Sequence, residues 1–266
     1  MLISRKPTLA KLRAVVETFW CVHDTTATGY ETLLPTARAQ LLISLSSRPV
    51  AELKSADSSS GNDMLQVVQG PTTRPHRVPR RPQAALCGIS FCPGAASIFF
   101  GPLHQVTDQI ICLSRFWGGS DASRLGDLLR GQWTQEVVLN LLETEMAGRI
   151  GDISVQLLLG RILDYMATGA SLGDVAEAFG LSDHTFRALF QNHVGMTPKR
   201  FLRVERFRAT INRLQPTTHL ADLAYEQDFS DQAHMAREIS HFATLTPGQL
   251  RERHRPYAGH LPDAKR

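Results

Sequence analysis

The sequence predicts an α+β protein, an N-terminal β-rich, barrel-like domain followed by an all-α C-terminal domain with two helix-turn-helix motifs. Three observations carry this. The last third repeats itself: Leu172-Gly173-Asp174-Val175-Ala176 returns as Leu220-Ala221-Asp222-Leu223-Ala224, and Ser182-Asp183 as Ser230-Asp231, both 48 residues on. Thr197-Pro198 then returns as Thr246-Pro247 at 49, so the second copy has gained one residue before its second helix. Apolar residues recur at helical spacing from Gln132 to about Arg255, whereas before Gln132 short apolar runs alternate with Pro, Gly and Ser breaks.

In the N-terminal half, residues 9–20 have helical or mixed spacing. The runs 39–45, 65–68, 86–91 and 97–100 read as strands. Ser-Ser-Ser-Gly-Asn makes 55–62 a polar loop. The Arg- and Pro-rich stretch 74–83 lacks too many donors for a central strand, which confines it to a loop or a sheet edge. Farther on, Val137, Val138, Leu141, Leu142 and Met146 mark one helix. Gly148 to Asp152 breaks it, and Val155, Leu158, Leu159, Ile162, Leu163 and Met166 mark the next, stopped at Gly169. The texture changes near Gly151. This predicts domains at 1–151 (ligand sensing or dimerisation) and 152–256 (two helix-turn-helix motifs), with a tail at 257–266.

Charged residues make up 20% and apolar residues 42% of the chain, as in an ordinary folded protein and unlike a disordered or fibrous one. A net charge of +4 permits a nucleic-acid partner without arguing for one. No apolar run reaches the roughly 18 residues of a membrane helix. Charges at Arg5, Lys6, Lys11, Arg13 and Glu17 interrupt the N-terminus, so no signal peptide is read and a cytoplasmic location is expected. Cys21, Cys87, Cys92 and Cys112 are too few and scattered for a disulfide framework. Cys87-x4-Cys92 invites a metal or thiol-switch reading, but its apolar neighbours Leu86, Ile89 and Phe91 favour core packing. No metal site and no cofactor are expected.

Each copy reads as a short apolar helix, a tight turn, a second helix and a Thr-Pro stop, the plan that lays a helix in the DNA major groove. Two copies can place two reading helices about 34 Å apart without a dimer. In the first, Leu172, Val175, Ala176 and Phe179 face inward, and Gly180 supplies the left-handed turn. Ser182 is a natural N-cap and Asp183 suits the positive end of the helix. Phe186, Leu189 and Phe190 share a buried face. That leaves His184, Thr185, Arg187 and Ala188, with Gln191 and Asn192 beyond, to meet base edges. Arg187 is the best candidate for a bidentate guanine contact.

Thr197-Pro198 opens a connecting helix whose core face is Phe201, Val204, Phe207, Ile211 and Leu214. Its other faces carry a stripe of Lys199, Arg200, Arg203, Arg206, Arg208 and Arg213. A charge run usually marks a solvated face. This one adjoins a reading helix, so Lys199, Arg200 and Arg203, with Ser182, are candidate phosphate contacts. The second copy has Asp228 where Gly180 stands, a residue that tolerates a left-handed turn. It has Thr244 where Gly195 stands, and β-branching there predicts a different helix end. From 182 to 213 seven basic residues face two acidic ones, whereas from 215 to 250 Arg237 faces five acids. The first copy is therefore expected to supply most affinity. Gln232 and Arg237, with Ala233, are expected to add selectivity.

These residues resemble the AraC/XylS family of bacterial transcription regulators over about 152–253. The most specific run is Asp228-Phe229-Ser230-Asp231-Gln232-Ala233-His234-Met235-Ala236-Arg237, followed by Leu245-Thr246-Pro247. The first copy matches through Gly180-Leu181-Ser182, Phe190, Gly195, Pro198 and Arg206. The family usually has glycine at the position of Asp228 and phenylalanine at that of Ile239. By resemblance, base contacts fall on His184, Arg187 and Ala188, and on Gln232, Ala233 and Arg237. The alanines offer only a thymine-methyl contact. The N-terminal half is similar to AraC-like sensor domains through Phe19-Trp20, Leu34-Pro35, Gly70-Pro71, Phe91-Cys92-Pro93-Gly94-Ala95, Thr107-Asp108 and Phe116-Trp117-Gly118. The Asp-Gly usual after Leu-Pro reads Thr36-Ala37 here. The resemblance implies a small barrel-like domain that binds a ligand or partner and does not name the ligand.

An enzyme needs convergent reactive groups. His23-Asp24 and His104 with Asp108 lack a nucleophile or glycine-rich loop, and Glu143-x-Glu145 points to two helix faces, so no catalysis is expected. Phe19, Trp20, Phe91, Phe116 and Trp117 can line a pocket but read first as core; no ligand pocket is assigned. The implied partners are double-stranded DNA, with a small-molecule effector, RNA polymerase and a second copy of the chain as further candidates, and no membrane. Two readings stay open. One is a sequence-specific transcription regulator modulated through its N-terminal domain. The other is a small-molecule-binding or interaction protein whose helix-turn-helix pair serves packing or dimerisation.

Overall fold

The computed structural model describes residues 2–24, 29–46, 48–50, 63–79, 83–132, 134–253, 255 and 259–263. The loop expected at 55–62, residues 80–82 and parts of the 257–266 tail lie outside them. The first half contains β1 (Leu2–Arg5), β2 (Val16–Asp24), β3 (Tyr30–Leu33), β4 (Gln40–Ser44), β5 (Gln66–Gln69), β6 (His76–Pro79), β7 (Gln83–Phe91) and β8 (Ile110–Cys112). Its helices are α1 (Ser97–Phe100), α2 (Ser114–Trp117), α3 (Gly119–Arg130) and α4 (Gln135–Arg149). Seven helices follow: α5 (Ser154–Met166), α6 (Leu172–Ala178), α7 (Asp183–His193), α8 (Pro198–Arg213), α9 (Leu220–Glu226), α10 (Gln232–Ala243) and α11 (Pro247–Arg251). The last element is β9 (His260–Pro262).

The chain packs as two compact units, one comprising Met1–Ala27, Arg38–Pro71 and Pro82–Pro198, the other Thr28–Ala37, Thr72–Arg81 and Lys199–Arg266. In the first, an antiparallel six-stranded sheet runs in the order β1-β2-β7-β4-β5-β8. Period-2 alternation builds its buried face: Phe19 and Cys21, Cys87, Ile89 and Phe91, and Leu41 and Ile43 are all fully buried. They form one core with Leu125 and Leu129 of α3 and Val138, Leu139, Leu142 and Met146 of α4. The barrel-like expectation becomes an open sheet with β1 and β8 at its ends, covered on one face by helices instead of closed on itself.

One N-terminal expectation is corrected. Residues 97–100 form α1, not a strand. A four-residue apolar run has no period of its own, and one helical turn buries Phe99 and Phe100 together, where a strand would send one of them outward. Both rings meet Phe91, at 5.5 and 5.6 Å, and Phe100 also meets Phe116 and Trp117. Residues 9–20 divide into a 3-10 turn at Ala10–Leu12 and the start of β2.

In the second unit, β3 pairs with β6 on one side and β9 on the other, giving the order β6-β3-β9. The described part of the Arg/Pro stretch that forms β6, His76–Pro79, thus lies at a sheet edge, where a missing donor leaves no ladder bond unmade. Strand β9, which no period signals, is fixed by backbone bonds from Leu34 N to Gly259 O (2.8 Å) and from Asp263 N to Tyr30 O (2.9 Å).

Candidate nucleic-acid interface

The first helix-turn-helix, α6 and α7, belongs to the first unit. Ser171 caps α6, accepting a bond from Asp174 N at 3.2 Å. Gly180 takes φ 64°, and the turn closes with Leu181 N donating to Ala176 O at 2.9 Å. Ser182 then caps α7, accepting from Thr185 N at 3.1 Å and sharing a hydroxyl bond with Thr185 Oγ1 at 2.8 Å. Phe186 and Phe190 are buried with ring centroids 5.1 Å apart, edge to face. Opposite them His184, Thr185, Arg187, Gln191 and Asn192 are exposed and Ala188 is half-buried. Helix α7 thus presents a polar face with Arg187 near its middle.

The second copy, α9 and α10 in the second unit, repeats the turn but not the first cap: His219 precedes α9 without a side-chain cap bond, where Ser171 caps α6. Phe229 N donates to Ala224 O at 3.0 Å, 48 residues beyond the equivalent bond of the first turn, and Asp228 holds φ 54° in place of Gly180. The cap has moved: Asp231, not Ser230, accepts from His234 N at 2.6 Å, 49 residues beyond Ser182 and Thr185. The inserted residue is therefore Ser230, and the register shift falls in the turn. That backbone bond holds the Asp231 carboxyl below its ordinary value. Met235 and Ile239 take the buried places of Phe186 and Phe190, while Gln232, Ala233 and Arg237 are exposed. Thr244 stands in the left-handed place of Gly195, yet the helix does end differently: the Gly195 N–H bonds Phe190 O, five residues back, whereas that of Thr244 bonds four back. Thr244 adopts the left-handed conformation, φ 57° and ψ 18°, with its N–H on Ser240 O at 3.0 Å.

The arginine stripe of α8 is the main departure. Arg203 grips Glu238 of α10 with two bonds of 2.9 and 2.8 Å and lies 5.5 Å from the Phe242 ring centroid. Arg206 donates to Asp228 O at 3.0 Å and stacks over Phe229 at 4.5 Å. Arg213 pairs with Glu226 at 2.6 Å, and Arg208 with Glu205 at 3.3 Å. Arg200 donates to Thr73 O at 3.4 Å, and Lys199 is exposed. The acids of the second copy thus answer arginines of α8. The Arg203 fork, expected on phosphate, is occupied by a carboxylate of its own chain. Its bonds hold Glu238 below, and Arg203 above, their ordinary values. Arg206 stood in the basic stripe read from sequence, but its engagement of Asp228 O, and the role of Glu238, did not show there. The signal was present only as opposite charge in segments whose pairing requires the fold.

Glu143 also has a structural role. Its buried carboxylate accepts from Arg5 Nη1 (2.5 Å), Thr8 N (2.6 Å), Thr8 Oγ1 (2.9 Å) and Leu9 N (2.8 Å), fixing the chain after β1 onto α4. Burial pushes this carboxyl up, but the bonds from Leu9, Arg5 and Thr8 outweigh it and the net shift is downward. Cys21 and Cys87 are buried, and burial pushes both thiols up, away from the reactive thiolate. Among the described residues no group of three or more His, Cys, Asp or Glu could hold a metal ion. No helix among them is long and apolar enough to cross a membrane.

A family described as a helix-turn-helix domain matches residues 175–253, and one described as a domain of unknown function (DUF6597) matches residues 5–112. An uncharacterized HTH-type transcriptional regulator of Haemophilus influenzae is 27% identical over 114 residues, which are 42% of this chain and 38% of that protein. The HTH-type transcriptional activator RhaS of Pectobacterium carotovorum is 30% identical over 98 residues, 36% of this chain and 35% of that protein. The chain thus spans little more than a third of these relatives' length. Among solved structures, ToxT from Vibrio cholerae overlaps 93% of this chain and 95% of its own, loosely, at 7% identity and a TM-score of 0.40. With both helix-turn-helix turns closed by equivalent backbone bonds, the stretch from 175 to 253 is similar to bacterial HTH-type transcription regulators.

Proposed function

We propose that the chain is a sequence-specific DNA-binding transcription regulator. The observation that carries this is the pair of capped helices, α7 and α10, each burying one face and exposing side chains able to read bases. Residues 152–256 serve as the DNA-binding domain and 1–151 as the domain that receives a small molecule or partner. Base edges are met by His184, Thr185, Arg187 and Ala188 on α7 and by Gln232, Ala233 and Arg237 on α10. Ser182, Lys199 and Arg200 meet phosphates. Arg203 is better explained as a tie between α8 and α10. The Pectobacterium relative is named an activator, and activation is the direction we propose, with RNA polymerase as the further partner, the cytoplasm as the location and catalysis absent. A second copy of the chain remains a candidate partner.

Selection of bound duplexes from a random pool, followed by affinities at several salt concentrations, tests this. Enrichment of a site with two blocks about 10 base pairs apart supports two reading helices. One block assigns reading to a single copy. Binding without enrichment that vanishes in salt refutes sequence reading. It would favour the second reading, a pair that serves packing, for which the engagement of α8 arginines by the second copy's own acids is the supporting observation.

A further inference from the structure

The C-terminal end of α7 is held by side chains from residues 94–107, all within the first compact unit. Thr107 Oγ1 lies 2.7 Å from the carbonyl oxygen of Gly195 and 2.9 Å from that of Leu103. Gly195 takes φ +84°, and a Cβ there would stand 2.6 Å from Thr107 Oγ1 and 3.1 Å from Leu103 O. The backbone that leaves α7 therefore fits closely onto this hydroxyl. Beside it, Ser97 Oγ donates to Gly94 O at 2.8 Å, accepts from Gln156 Nε2 at 3.3 Å, and lies 2.8 Å from His193 Nδ1. A serine has one hydroxyl hydrogen. With that hydrogen on Gly94 O, Nδ1 of His193 carries the proton and donates to Ser97. His193 is the last residue of α7, and burial lowers its tendency to take a second proton, which suits a neutral ring donating through Nδ1.

The consequence is geometric. Helix α7 has 11 residues. At 1.5 Å per residue it is about 16 Å long, so a tilt of about 10° at its anchored end moves the other by about 3 Å. A bidentate base contact does not survive such a displacement. We infer that Ser97 and Thr107 are positioning residues for base reading: they fix the exit of α7 and so set the angle at which His184, Thr185 and Arg187 are presented. They touch no DNA themselves. The inference rests on the DNA-reading function proposed above.

The test uses the full chain, the duplexes it selects, and Thr107→Val, Ser97→Ala and Thr107→Ser. Thr107→Val and Ser97→Ala should each weaken binding of the selected duplex by about threefold to tenfold, the equivalent of one hydrogen bond. The loss of preference should be confined to the base pairs read by α7, with affinity for random duplex unchanged. Thr107→Ser keeps the hydroxyl and should restore both. Thermal unfolding is followed for each variant. If Thr107→Val does not fold, Ser97→Ala and Thr107→Ser decide. Unaltered preference in folded variants, or an equal loss on selected and random duplex, overturns the positioning role alone. Failure of the wild-type chain to select any duplex overturns the DNA-reading function beneath it.

Discussion

Replacing Arg203 by alanine separates two roles that the sequence left together. In the structure its guanidinium holds Glu238 bidentately at 2.9 and 2.8 Å, with the side chains 36% and 13% exposed. Exposed pairs contribute about 0.2–1 kcal/mol, and breaking a buried pair costs about 3–5 kcal/mol. This pair lies between, nearer the surface on the arginine side, so screening by solvent brings the expected coupling to about 1–2 kcal/mol. A double-mutant cycle of Arg203→Ala and Glu238→Gln, followed by urea denaturation at pH 7, measures it. The Glu238 carboxyl is held below its ordinary 4.5, first by the hydrogen bond from Arg203. A depressed folded value means the stabilisation is complete above pH 4.5 and is lost as the pH falls through the folded value, so the coupling should shrink in acid. On DNA, Arg203→Ala should leave the salt slope unchanged, whereas Lys199→Ala should reduce it by about one. A coupling below about 0.3 kcal/mol, or a slope reduced by one in Arg203→Ala, refutes the assignment.

Glu143→Gln should lower stability by about 2–4 kcal/mol in thermal or urea unfolding, because a neutral amide opposes donors now aimed at two carboxylate oxygens; a loss under about 1 kcal/mol would contradict the buried-carboxylate role. Thr244→Gly should raise stability by about 0.5–1 kcal/mol, as relief of left-handed strain exceeds the added freedom of the unfolded glycine. A decrease would mean that the Thr244 hydroxyl, 2.6 Å from Ala243 O, matters more than the strain. Arg187→Ala should weaken binding to the selected duplex by about 1–3 kcal/mol and relax one base position, and unchanged preference in a repeat selection would remove Arg187 from the reading face.

The parts of this fold that were legible in sequence are those in which one local rule acts alone. Ser182, Gly180 and Pro198 mark the ends of α7 and its neighbours because caps and left-handed turns depend on a few adjacent residues. The buried positions of β4 and β7 follow from alternation. What failed was what needs a distant partner. The run 97–100 is helical because Phe91, Phe116 and Trp117 receive its rings. Helix α3 carries Ala122, Leu125 and Leu129 at helical spacing, yet its short run beside Gly126 gives a weak signal. Strand β9 exists because β3 offers an edge. The arginine stripe read as phosphate-binding because Glu238 and Glu226 are far from α8 in sequence. Thr244 shows that position can override propensity: the helix end is set by its packing, and the threonine accepts the strain.

The charge asymmetry between the copies leads to a different expectation once these pairs are known. A stripe of six basic residues on α8, all facing phosphate, would release about six counterions and give a salt slope near −5. Four of those six are arginines engaged by Glu238, Asp228 O, Glu226 and Glu205 within the chain. The remaining pair are Lys199, which is exposed, and Arg200, which donates to Thr73 O, while Arg187 and Arg237 stand exposed on the reading helices. With Arg187 and Arg237 both on base edges, about two cations are left for phosphate, and the slope should lie near −2. The measurement is the affinity of the full chain for its selected duplex between about 50 and 200 mM salt, the range over which backbone contacts weaken steeply. A slope of −5 or steeper would mean that the ion pairs with the second copy open on binding and hand their arginines to DNA. In that case Glu238→Gln would tighten binding. A slope near −2 with Glu238→Gln neutral on affinity would mean that the second copy's acidity serves its attachment to α8, and that its reading face is paired with few phosphate contacts.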